Sequence, residues 1–182
     1  MTTIGTNALR GAAICLVVSA CAAPAEKTAM VPTEISLVSA SSPYRANVKK
    51  VDTYGGQETN PMLMSQISAD DFKVALTDAL KAAGILNPSG RYAVRADILS
   101  LKQPMFGTSL KVEMTVRYNV IDSNDRIRLD RTIESVYTAA FSESLIGVER
   151  LRKANEGAAR DNIARFLRVL GSAATGGVAV TS

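Results

Sequence analysis

The stretch Ser109-Leu110-Lys111-Val112-Glu113-Met114-Thr115-Val116-Arg117-Tyr118-Asn119-Val120-Ile121 decides how this chain folds. Leu110, Val112, Met114, Val116, Tyr118 and Val120 share one parity, and Lys111, Glu113, Thr115, Arg117 and Asn119 share the other. Successive strand side chains point to opposite faces, so this alternation predicts a long antiparallel strand with one dry and one wet face. Upstream, 91–101 repeats the pattern, with Tyr92, Val94, Ala96 and Ile98 inward and Arg91, Arg95 and Asp97 outward. Downstream, the polar turn 122–125 leads into 126–140, the third strand of a meander. Its alternation falters at Arg131, where a β-bulge is expected.

The dry face needs a cover. Ser68 stands as an N-cap before Asp70 and Asp71, where the helix dipole favours negative charge. Phe72, Leu76, Ala79, Leu80 and Ala83 then recur at helical spacing until Gly84. A second helix is expected over 144–170, with Val148, Leu151, Ala158, Ala159, Ile163, Phe166 and Leu170 as its apolar stripe. Glu149/Lys153, Glu156/Arg160 and Asp161/Arg165 are spaced as i,i+4 ion pairs. Residues 46–54 read as a strand ending at the turn signal Tyr54-Gly55-Gly56, and 35–40 as a further short strand closed by Ser41-Ser42-Pro43. The expected fold is α+β in the order β-α-β-β-β-α, a mainly antiparallel four-stranded sheet with two helices packed on one face.

Ahead of this domain, Arg10 is followed by the apolar run 11–18, and Val18-Ser19-Ala20 places small side chains before Cys21. A basic start, a short apolar core and small residues make a secretory signal. The run breaks at Ala22-Ala23-Pro24, short of the ~20 apolar residues that a spanning helix needs. Leu16-Val17-Val18-Ser19-Ala20-Cys21 has the pattern of a bacterial lipoprotein signal, the lipobox. Residues 1–20 are therefore expected to be removed and Cys21 to become an acylated first residue. A flexible tether over 21–33, a single periplasmic domain over 34–170 and a disordered tail over 171–182 are expected to follow. Ala22 stands where the enteric pattern for inner-membrane retention has Asp, which favours the periplasmic face of the outer membrane.

Composition narrows the chemistry. The 182 residues fit one domain plus extras, and the net charge of +4 comes from Lys and Arg interspersed with Asp and Glu. A nucleic-acid binder gathers its basic residues on one face, so nucleic acid is not an expected partner. Histidine is absent, and the two cysteines, Cys15 and Cys21, both precede the domain. Disulfides, thiolate metal sites and cysteine nucleophiles are thereby excluded from it. With no nucleophile beside a base, no paired carboxylates and no phosphate-cradling loop, the domain is not expected to be an enzyme, and no metal or cofactor is expected beyond the lipid on Cys21.

Three groups of residues are candidates for a role. The outward residues Arg95, Asp97, Lys111, Glu113, Arg117, Arg128, Asp130 and Glu134 read as a mutually compensating, solvated sheet face. Asn155 and Asn162 point into the apolar arc of the last helix, where an amide must find partners. They are expected to hold a neighbouring loop, the turn at 55–61, with Arg150, Arg152 and Glu156 fixing the same region by charged hydrogen bonds. Met105 and Phe106 are large apolar side chains on a connection, which either fold back over the core edge or meet a partner or the bilayer.

Tyr54-Gly55-Gly56 with Thr59-Asn60-Pro61, Ser65-Gln66-Ile67, Gln103-Pro104 with Phe106-Gly107, and Arg150-Leu151-Arg152 with Ala154-Asn155-Glu156-Gly157-Ala158 together resemble a poorly characterised family of bacterial outer-membrane lipoproteins, over 45–170. The element order is also similar, at the level of fold, to YajG-type lipoproteins and to the lipoprotein that plugs the outer-membrane lipopolysaccharide translocon. The resemblance implies no catalytic residue. The expected function is a membrane-anchored, non-enzymatic accessory domain that binds an envelope protein in assembly or transport. A lipid or glycolipid carrier is the alternative, with an apolar groove lined by Phe72, Tyr118 and Phe166. A structural envelope lipoprotein is the third reading.

Overall fold

A computed structural model of the chain describes residues 23–58, 65–104 and 107–173. Its elements are strand β1 (Val48–Gly55), helix α1 (Ala69–Ala82), strands β2 (Tyr92–Lys102), β3 (Leu110–Ile121) and β4 (Ile127–Ala139), and helix α2 (Gly147–Ser172). Short 3-10 turns lie at Thr28–Met30 and Phe141–Glu143.

The strands form one sheet in the order β1-β2-β3-β4. β2, β3 and β4 are an antiparallel meander, whereas β1 runs parallel to β2. A parallel pair needs a crossover, and α1 supplies it. Both helices pack on the face that carries Val112, Met114, Val116, Tyr118 and Val120, all fully buried, with α1 against β1 and α2 against β3 and β4. Ser68 caps α1 as its sequence suggests, its hydroxyl accepting from the Asp71 backbone N–H at 3.0 Å. Gly84, at φ +70°, turns the chain out of that helix.

The structure departs from the expectations in four places. Residues 35–40 are not a strand but an extended segment beside α1 and α2, with the Val38 N–H donating to Ala83 O. Arg131 is not at a bulge: it pairs in register with Tyr118, and the extra residues are Arg128 in β4, Leu99 in β2 and Lys49 in β1. Arg131 breaks the alternation because a charged, half-buried residue occupies an inward position of the edge strand. The second helix runs on through Gly171 to Ser172. The largest difference is at residues 23–32, part of the expected tether, which are packed: Ala25 is 4% exposed and Met30 is 0% exposed.

Candidate functional site

The segment that follows Cys21 in sequence lies along α2 as a strap. The Glu26 N–H donates to the Glu156 carboxylate at 2.9 Å, and the Arg152 guanidinium meets the Glu26 carboxylate at 2.8 Å. Further on, Arg160 donates to Ala29 O at 2.9 Å, and the Ser42 hydroxyl to Leu170 O at 2.7 Å. The strap thus runs in the same direction as the helix, from its second turn to its last. Ala154, Asn155, Glu156, Gly157, Ala158 and Ala159 are buried in unbroken succession. A helix resting on a sheet alone would expose part of every turn; this one is enclosed between sheet and strap. The strap also takes Glu156 and Arg160 away from the i,i+4 pair their spacing suggests, whereas Asp161 and Arg165 do form theirs at 2.8 Å.

Burial pushes the Glu156 carboxyl above its ordinary pKa, against the lowering effects of the Glu26 N–H and Arg152. An acid whose folded pKa is raised stabilises the fold fully below the unfolded pKa, and that contribution is lost as pH rises through the folded pKa. Glu156→Gln keeps an oxygen for the Glu26 N–H and removes the buried charge. Thermal unfolding is expected to find the variant at least as stable as the parent at neutral pH, with its relative advantage shrinking as pH falls into the ordinary carboxylate range. A variant that gains ground in acid instead would contradict the direction of the shift.

The two amides of α2 do different jobs. Asn155 donates to Ser65 O at 2.9 Å and accepts from Gln103 Nε2 at 2.7 Å, and Gln103 itself also reaches Ser65 O at 2.9 Å. It therefore ties α2 to the segment entering α1 and to the end of β2, not to the turn at 55–61, of which 59–61 lie outside the described residues. Asn162 holds no loop. Its Oδ1 accepts from the Tyr118 hydroxyl at 2.8 Å, and its Nδ2 donates to Ile133 O and Ser135 Oγ, each at 3.0 Å. This pins the helix to β3 and β4 across a dry interface.

Arg150 is buried at the opening of α2. Its guanidinium donates to Ser144 O at 2.7 Å and Gly107 O at 3.1 Å, and lies 5.2 Å over the Phe141 ring. Lys153 donates to Glu143 O. One end of the domain is thereby organised around two basic side chains that hold the 141–146 connection in place. Arg150 was expected to fix the same region as Arg152 and Glu156, but it serves this connection and they serve the strap. Met105, Phe106 and Cys21 lie outside the described residues.

Six of the eight outward charges neutralise one another in three pairs, while Arg128 stands 4.0 Å from Asp122. Arg117 grips Asp130 on the neighbouring strand through two hydrogen bonds, at 2.9 and 2.5 Å, and holds its carboxyl below the usual range. Arg95 pairs with Asp97 and covers the Tyr54 ring, and Lys111 pairs with Glu113. The groove expected beside Phe72, Tyr118 and Phe166 is filled: all three are 0% exposed, and Tyr118 stacks on Phe166 with ring centroids 4.0 Å apart. Two open clefts, of about 560 and 460 Å³, flank the strap and α2, and neither is lined by those aromatics. Among the described residues, no group of acidic, His or Cys side chains could hold a metal ion, and no helix is long and apolar enough to cross a membrane.

Gly55 and Gly56 explain their turn sterically. Both have φ +75°, and a Cβ would lie 2.4 Å from Ile98 O at Gly55 and 2.6 Å from Ile67 O at Gly56. Backbone runs flush against backbone there, so the pair serves packing. The strap was the feature hidden from the sequence. Its buried apolar residues, Ala25, Met30 and Val38, with Val31 and Ile35 packed beside them, are too irregularly spaced to form a helical or strand pattern.

No family model matches the chain, and no curated protein matches it by sequence. Solved structures do share its fold. A Xanthomonas campestris protein of the DUF330 family superposes with a TM-score of 0.55 at 11% identity, covering 78% of this chain and 91% of that one. A Caulobacter crescentus protein described as a candidate lipoprotein superposes with a TM-score of 0.51 at 11% identity, covering 74% and 94%. A minor lipoprotein of Acinetobacter baumannii gives 0.47 at 12% identity, covering 70% and 92%. At 11% identity the likeness to the Xanthomonas and Caulobacter proteins is one of fold alone.

Proposed function

We propose that this chain is a lipid-anchored envelope protein whose mature form begins at Cys21. Its domain works at the periplasmic face of the outer membrane as a non-enzymatic accessory that binds a protein partner in envelope assembly or transport. The strap is the observation that carries this reading. Ala25 is buried four residues after the lipobox cysteine, a separation that chain geometry limits to about 14 Å. An acylated Cys21 would therefore hold the domain against the bilayer, where confinement to a surface raises the effective concentration of partners sharing it. The Caulobacter protein of the same fold is described as a candidate lipoprotein, which agrees with an anchor.

Cells fed labelled palmitate are expected to yield a labelled chain that sediments with membranes, and Cys21→Ala is expected to abolish the label. An unlabelled parent, or a Cys21→Ala variant labelled as strongly as the parent, would defeat the anchor. Crosslinking in cells from position 106 and from the exposed Val136 tests the partner. Failure to recover any specific envelope protein across several growth conditions would leave the binding role without support.

A further inference from the structure

Three apolar side chains stand outward in the connection that opens α2: Phe141 is 52% exposed, Leu145 77% and Ile146 43%. They are not on a loose tip. Arg150 and Lys153 hold the backbone of Glu143 and Ser144, the Ser144 hydroxyl accepts from the Ile146 N–H at 3.1 Å, and it donates to Glu149 at 2.8 Å. The connection is built to present these side chains to something apolar.

The start of the strap says what that is. The strap follows α2 from Glu26, beside Arg152 and Glu156, to Ser42, beside Leu170. Traced backwards, the strap passes Leu170, Arg160 and then Glu156, moving toward the N-terminal end of the helix, and the Ala25 N–H donates to Gln66 O at 3.3 Å. Arg152 lies six residues beyond Ile146, about 9 Å along the axis at the usual helical rise. The five residues from Glu26 back to Cys21 span at most about 18 Å. The far end of the helix, Ser172, lies twenty residues beyond Arg152, about 30 Å along the axis. The lipobox cysteine can therefore reach the end with the exposed apolar cluster, and not the other.

From this geometry we infer that the end of the domain where α2 begins rests on the lipid bilayer, with Phe141, Leu145 and Ile146 in its interfacial layer. The inference rests on the acylation of Cys21 proposed above, and adds to it a fixed orientation. A second copy of the chain is the weaker occupant. Three side chains offer a few hundred Å² at most, whereas a stable protein interface buries at least roughly 1,200 Å². That area is enough to seat a surface already held by acyl chains.

The test uses the lipidated chain in phosphatidylcholine/phosphatidylglycerol vesicles, carrying Leu145→Cys or, as a control, Leu37→Cys. Leu37 is 66% exposed and lies near the last turns of α2. With Cys15 removed and the Cys21 sulfur acylated, an environment-sensitive fluorophore labels only the new thiol. The label at 145 is expected to shift to the blue and lose most of its emission to doxyl-labelled lipids, while that at 37 keeps its aqueous emission and is quenched by iodide. Vesicle-bound chains whose two labels are equally wet would overturn the orientation and leave the anchor standing. Chains that do not float with vesicles, and whose Cys21 also takes the label, would sink the anchor and the orientation together. A blue shift at 145 that follows protein concentration without lipid and ignores doxyl quenchers would assign the surface to a second copy.

Discussion

Asn162→Ala is expected to cost about 3–5 kcal/mol of folding stability, measured by urea unfolding. Asn162 is 0% exposed and sits where α2 crosses β3 and β4. Burial raises the Tyr118 hydroxyl well above its ordinary pKa, so it remains a donor, and the Asn162 Oδ1 accepts from it at 2.8 Å. That fixes the sense of the amide, whose Nδ2 donates to Ile133 O and Ser135 Oγ. Ser135 keeps a partner of its own, donating to Ala158 O at 2.8 Å. Alanine would leave the Tyr118 hydroxyl without its acceptor and Ile133 O without its side-chain donor, at roughly 1–3 kcal/mol for each stranded group, and open a void as well. A domain of this size is stable by only about 5–15 kcal/mol, so the loss is a large share. Tyr118→Phe removes the stranded hydroxyl. In that background Asn162→Ala should therefore cost about 1–2 kcal/mol less, the usual coupling of groups sharing a hydrogen bond. Strict additivity, or a single-variant loss below about 1 kcal/mol, would mean that helix and sheet are held together by apolar contact alone.

The same position shows what the sequence could and could not disclose. Period-two alternation over 110–120 placed the sheet's dry and wet faces residue by residue, because burial on one face leaves a direct imprint on side-chain type. Helical spacing likewise put Asn155 and Asn162 on the buried arc of α2. Partner identity leaves no such imprint. An amide donates and accepts equally well to a loop carbonyl or to a strand, so the reading that both hold a loop fitted Asn155, although not with the loop expected, and failed for Asn162. The strap was hidden for another reason. Extended segments docked by a few irregularly spaced apolar residues and charged hydrogen bonds have no period; Glu26 and Arg160 looked like ordinary surface charges, and Arg152 and Glu156 were read as fixing the turn at 55–61. Arg131 misled in the opposite sense: a break in alternation can mark a bulge or a polar residue at an inward position, and only the register distinguishes them.

Gly157→Ala is expected to destabilise the domain by about 2 kcal/mol, although alanine in place of glycine inside a helix ordinarily gains about 1 kcal/mol. The reason is the Tyr137 ring of β4. A Cβ on residue 157 would lie 2.3 Å from its Cγ and 2.5 and 2.6 Å from its two Cδ atoms, well inside the roughly 3.5–4.0 Å at which carbon atoms rest. The Cγ is the root of the ring, so small rotations of the side chain do not clear it. The Tyr137 hydroxyl donates to Glu143 at 3.2 Å, and Arg160 lies 5.8 Å over the ring, which hold it further in place. Either the ring leaves its site or α2 lifts from the sheet, and lifting would disturb Arg150, Glu156 and Asn162 on the same helix. In a Tyr137→Ala background the obstruction is gone, and Gly157→Ala should change sign and stabilise the domain by up to about 1 kcal/mol. A loss of equal size in both backgrounds would show that the ring is not what excludes a side chain there. The sign reversal would establish that the glycine exists to set the distance between α2 and β4, on which the seating of the strap and of the 141–146 connection depends.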